Sequence, residues 1–83
     1  ELVEPEEFED SIQQWCRDIL RCAPLAVQAS KEAVMKGLDE KDLRSAIRMQ
    51  DSYPIFSEMQ NSCDRKEGPK AFSEKRPPKW SGK

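Results

Sequence analysis

In Phe8-Glu9-Asp10-Ser11-Ile12-Gln13-Gln14-Trp15-Cys16-Arg17-Asp18-Ile19-Leu20, the residues Phe8, Ile12, Trp15, Cys16, Ile19 and Leu20 recur at intervals of three and four. That period places them on one face of an α-helix, with Glu9, Asp10, Gln13, Gln14, Arg17 and Asp18 on the other. Pro5 suits a first helical position, and Glu6 and Glu7 behind it interact favourably with the helix dipole. The spacing therefore predicts a helix over residues 5–22. Ala23-Pro24 ends it, because proline lacks an amide donor and restricts the residue before it.

Reading onward, Pro24 opens a second helix over 24–37, with Leu25, Ala26, Ala29, Ala33 and Val34 on its apolar side. Its alanines make it slim enough to approach neighbours closely. Gly37 stands as its C-terminal stop. Asp39 reads as the cap of a third helix over 39–60, with Asp42 in a box-like position and Pro54 kinking or splitting the run. Ser62 caps a fourth over 62–76, interrupted at Gly68-Pro69. Pro77-Pro78 ends it, and residues 77–83 form an extended tail expected to be mobile. No segment alternates with period two. The expected class is all-α, one domain of three to four short helices.

Composition narrows function. The chain has 83 residues, 36% of them apolar and 36% charged, and no histidine. A chain this short buries only about 60% of its unfolded surface, so its core is thin. Without histidine it lacks the commonest general base and metal ligand. A self-contained enzyme is therefore not expected. Cys16, Cys22 and Cys63 are odd in number and lack a C-x-x-C spacing, which fits reduced thiols used as small apolar side chains. No apolar run approaches the length of a membrane span, and the acidic start lacks a signal-peptide pattern. These features point to a cytoplasmic protein, or to a mitochondrial or peroxisomal matrix if eukaryotic. The missing initiator methionine suggests a piece of something longer.

Net charge is −2, but it is unevenly spread. Residues 1–59 hold seven basic and thirteen acidic side chains; residues 60–83 hold seven basic and three acidic. A basic end bearing Phe72 and Trp80 suits a ligand with phosphates and a flat base. A solvated surface tail is the plainer reading. Nucleic acid is not expected, because the acidic first helices would repel a polyanion.

Two stretches carry a resemblance. Ala23-Pro24-Leu25-Ala26-Val27-Gln28-Ala29-Ser30-Lys31 resembles the helix opening that follows the catalytic core of crotonase-superfamily proteins, the enoyl-CoA hydratases and isomerases. The run from Ser62 to Trp80 resembles that family's C-terminal signature, with its Glu67-Gly68, Ala71-Phe72 and Glu74-Lys75-Arg76 elements and a following proline. The helix with Trp15 followed by Ile19-Leu20 also fits, and the order is kept along the whole chain. The resemblance implies the C-terminal helical subdomain of a crotonase-like fold, without its β/α spiral core. It implies a parent enzyme that adds water to, or shifts, the double bond of an enoyl-CoA thioester in fatty-acid or related acyl-CoA metabolism. The core of such a parent supplies the oxyanion hole and the acid/base carboxylates. The helical region packs a trimer or dimer of trimers and helps close the acyl-CoA pocket.

By the same resemblance Phe56, Phe72 and Lys75 are the cofactor-side contacts. Lys75 would pair with a phosphate of coenzyme A, Phe72 would lie against its adenine or pantetheine part, and Phe56 would line the same pocket. From the residues alone, Phe56 equally suits core packing beside Met59, Phe72 suits a core, and Lys75 suits solvent. No catalytic or metal-binding residue is assigned, and no cofactor is expected to stay bound; coenzyme A enters as the thioester substrate of the parent. The implied partners are the crotonase core, neighbouring subunits and acyl-CoA, with no nucleic acid and no membrane. A stand-alone helical module that binds acyl-CoA or another protein is the alternative. It would offer only Tyr53 toward the tyrosine-lysine contacts of acyl-CoA carriers.

Overall fold

A computed structural model describes all of residues 1–83. The molecule is all-α. Its helices are α1 (Phe8–Leu20), α2 (Pro24–Gly37), α3 (Leu43–Met49), α4 (Pro54–Gln60) and α5 (Cys63–Ser73), with short 3-10 turns at Pro5–Glu7 and Gln50–Ser52. Five helices stand where three or four were expected, because the expected run 39–60 is two helices. Tyr53 is extended, with φ −77° and ψ 143°. The ring of Pro54 disfavours helical backbone at the preceding residue, so the proline splits the segment and starts α4 at its own first position.

Other boundaries move for equally local reasons. The first segment begins with a 3-10 turn before the α-helix proper. The cap of α3 is Asp42, not Asp39: its carboxylate accepts the Ser45 amide at 2.7 Å. Gly37 closes α2 without a left-handed backbone, since the only positive-φ glycine is Gly82. Its use is close approach, because a β-carbon there would lie 3.5 Å from Ala46 Cβ on α3. Ser62 caps α5 as expected, accepting the Arg65 amide at 3.2 Å. Gly68-Pro69 does not interrupt α5, which runs on to Ser73 with Pro69 inside it. Glycine before proline removes the β-carbon that would crowd the ring in helical backbone.

α2 is the central element, packed on α3 and α4, with α4 in turn meeting α5. Glu32 of α2 ties this joint: its carboxylate accepts the Ile55 amide at 3.0 Å and Lys36 Nζ at 2.7 Å. The Lys36 ammonium also lies 5.2 Å from the Tyr53 ring centroid. Buried apolar residues are few, namely Leu25, Tyr53 and Ala71. The shape is a plate of 42 × 36 × 18 Å with a radius of gyration of 16.0 Å. A globule of this length would have a radius near 12 Å. The accessible surface is 7023 Å², against about 5,100 Å² for a compact monomer of this mass. Phe8, Trp15, Ile19 and Leu20 of α1 and Val34, Leu38, Leu43 and Ile47 of α2–α3 stand exposed.

The last residues are not loose. Trp80 donates its indole N–H to the Arg21 carbonyl at 2.9 Å and lies over Gly68, where a β-carbon would be 3.5 Å from its ring. Asp64, only 3% exposed, accepts the amides of Ser81 and Gly82, each at 2.8 Å. The Lys83 carbonyl returns to the start of α5 and accepts the Cys63 amide at 2.8 Å. The expected mobile tail is therefore a strap across α5, and Trp80 docks on its own chain.

Candidate functional site at the C-terminal end of α5

The basic-aromatic end is built by the way α5 stops. The Arg76 amide donates to the Ala71 carbonyl at 3.0 Å and the Lys75 amide to Phe72 at 3.2 Å. These are the paired bonds of a Schellman turn, in which one residue adopts a left-handed backbone. That residue is Lys75, with φ 55°, at a position that usually takes glycine. Phe72, one turn earlier, is 87% exposed. The structure thus brings Phe72 and Lys75 together at one turn.

Arg76 is held on both sides. It forms a two-pronged pair with Glu67, at 2.6 and 3.0 Å, and its Nε donates to Glu74 at 2.6 Å. Glu67 also accepts the Lys79 amide at 2.8 Å. Arg76 first, then the Lys79 amide, holds the Glu67 carboxyl well below its usual range, at about 2. The same two carboxylates raise the Arg76 pKa. Asp64 is lowered in the same sense, chiefly by the Ser81 amide, with Gly82 helping against the cost of burial. Lys70, Lys75 and Lys79 enter no ion pair. The charge that remains unmatched around Phe72 is therefore carried by lysines.

Phe56 is elsewhere. It is half-buried and lines a cavity of about 180 Å³ with Ala26, Ala29 and Ala33 of α2 and Met59. Phe72 and Lys75 do not line that cavity, nor the other well-formed concavities of the surface. One of them, of about 470 Å³, is an apolar trough between α2 and α3, with Val34, Leu38 and Ile47 on its walls. No three histidine, cysteine or carboxylate side chains converge on a metal-sized site. Sequence reasoning missed Asp64 and Arg76 as organisers. Their partners lie 17 and nine residues away, beyond any helical spacing that could have signalled them.

Known proteins resemble this chain in sequence and in fold. The enoyl-CoA hydratase/isomerase family model matches residues 1–83. The chain is 35% identical to (E)-benzylidenesuccinyl-CoA hydratase of Thauera aromatica over 82 residues, covering 99% of this chain and 31% of that protein. It is 35% identical to carnitinyl-CoA dehydratase of Salmonella arizonae over 83 residues, covering 98% and 31%. Among solved structures, an enoyl-CoA hydratase from Bacillus anthracis superposes with a TM-score of 0.86 at 30% identity, covering 98% of this chain and 30% of that one. A probable enoyl-CoA hydratase/isomerase from Mycobacterium abscessus gives 0.84 at 34% identity, covering 99% and 31%. An all-helical plate with the sequence elements of that family throughout defines a class, and the chain belongs to the enoyl-CoA hydratase/isomerase family of the crotonase superfamily. It spans about a third of the length of these relatives.

Proposed function

We propose that this chain is the C-terminal helical region of a crotonase-type enzyme. In this reading it packs against that enzyme's core and neighbouring subunits, and its α5 end contacts the coenzyme A part of an acyl-CoA substrate. The parent hydrates enoyl-CoA thioesters, a reading supported by relatives named as hydratases and a dehydratase of CoA thioesters. No helix is long and apolar enough to cross a membrane.

The observation that carries the ligand contact is the presentation of Phe72 beside Lys75 on a turn whose other charges are paired. An exposed phenyl ring offers a stacking or apolar surface, and an unpaired ammonium offers a phosphate partner. Phe56 joins the contact through the apolar wall it shares with α2. Packing against other protein is supported by area: the surface beyond that of a compact monomer, about 1,900 Å², is more than twice the roughly 800 Å² that one partner buries in a standard interface. A closed carrier pocket for a whole acyl-CoA finds less support, since the apolar concavity of about 470 Å³ is an open trough not lined by Phe72 or Lys75.

The test is titration of coenzyme A into the 83-residue chain, followed by amide NMR, with crotonyl-CoA turnover assayed in parallel. Weak binding that shifts the amides around Phe72 and Lys75, further weakened in Phe72→Ala and Lys75→Ala, is the expected result. Turnover by the 83 residues alone would overturn the assignment of chemistry to the rest of the parent.

A further inference from the structure

We propose that Glu67 and Arg76 are positioning residues for the ligand-contacting end of α5, a role that rests on the coenzyme A reading above. Lys75 sits in left-handed backbone, which side chains other than glycine rarely adopt unless the surroundings impose it. The imposing group is the Glu67–Arg76 pair. It bridges the middle of α5 to the residue just after Lys75, with two parallel hydrogen bonds that fix orientation as well as distance. Glu74 holds the third guanidinium edge, and the Lys79 amide takes the free side of Glu67. The residues before and after Lys75 are thus anchored, and the chain leaves the turn in one direction.

The charge arithmetic of the cluster separates structure from ligand. Arg76 lies between two carboxylates and is only about a third exposed, so it is saturated and not available to a phosphate. Lys75 has no carboxylate partner, and Phe72 faces outward. The clamp absorbs the arginine and leaves the lysine and the ring on offer at a fixed geometry.

The discriminating variants are Glu67→Gln and Arg76→Lys, read by coenzyme A titration of the chain with amide and Cα shifts at Lys75. Glu67→Gln removes a negative charge beside a cationic patch, so simple electrostatics expects an anion to bind more tightly. Positioning expects the opposite, an affinity lower by about 2- to 150-fold, the range of couplings within one hydrogen-bonded network. Arg76→Lys keeps the charge and loses the fork, and should weaken binding likewise while the Lys75 shifts leave left-handed values. Helical content by circular dichroism at the same temperature controls for folding. If Glu67→Gln does not fold, Arg76→Lys decides alone.

Unchanged or tighter binding in the folded variants overturns the proposal. So does a loss explained by unfolding, with the Lys75 shifts intact in the folded fraction, or a loss of fold in both variants. If Lys75→Ala weakens binding and the clamp variants do not, the positioning role fails while the ligand site stands. If wild type shows no saturable binding, or Lys75→Ala binds as well as wild type, the ligand site fails and the positioning role with it.

Discussion

Asp64 and Glu67 hold the last residues of the chain, and each does so as a carboxylate. Asp64 accepts two backbone amides and the Ser81 hydroxyl; Glu67 accepts Arg76 and the Lys79 amide. Their folded pKa values fall below the usual 3.8 and 4.5, so in acid the unfolded chain binds more protons than the folded one. Stability therefore rises with pH across that range. The contribution is complete above about pH 4.5 and is lost as the pH falls toward about 2, through the folded value of Glu67. The expected outcome is release of the strap on acidification, read as loss of hydrogen-exchange protection at the Ser81, Gly82 and Lys79 amides below pH 4.5. Protection that persisted unchanged to pH 2 would contradict it. At this scale the sequence was only partly legible. Glu67 stood out only as part of a Glu-Gly element of the family resemblance, and its arginine partner was not legible, because a pairing across nine residues needs the geometry of the turn between them.

Within the elements, proline does more than glycine to set boundaries. Pro5, Pro24 and Pro54 each open a helical segment, where the missing amide costs nothing. Pro69 is different. Inside α5 it removes the helical donor to the Arg65 carbonyl, and such a position costs up to about 3 kcal/mol. Pro69→Ala should accordingly raise the stability of the chain by about 1–3 kcal/mol, measurable as a higher urea midpoint. A lower midpoint would mean that the proline fixes a bend on which the strap depends. The sequence marked Gly68-Pro69 as an interruption because local propensity says so. Packing overrode it: Trp80 lies over Gly68, and α5 is continuous through the contact. The same local logic placed the cap of α3 at Asp39, three residues early. Two aspartates of equal capping strength compete there, and only Asp42 lies where its carboxylate reaches the Ser45 amide.

On the scale of the whole molecule, the thin plate divides its apolar residues into a small set that is covered and a larger set that is not. Leu25, 9% exposed, belongs to the first; Leu38, 75% exposed, belongs to the second. Leu25→Ala should destabilise the chain by about 2–3 kcal/mol, the ordinary cost of a buried cavity. Leu38→Ala should change it by less than about 0.5 kcal/mol, as for a surface site. Thermal unfolding of the two variants checks this. Equal losses would show that the α2–α3 trough is covered by self-association in solution.

What the sequence determined by itself is the all-helical class, the amphipathic faces, the acidic body with its basic end, and a family resemblance along the whole chain. Those are properties of short spacing and of residue type, and short spacing is what a single sequence records. The tertiary structure decided the rest: that residues 77–83 are a strap held by Asp64, that Phe56 faces α2, and that Glu67 and Arg76 pair across the turn that carries Phe72 and Lys75. The strap and the Glu67–Arg76 pair depend on groups nine to 59 residues apart meeting at hydrogen-bond distance. Such meetings follow from how the helices pack, which no local period encodes.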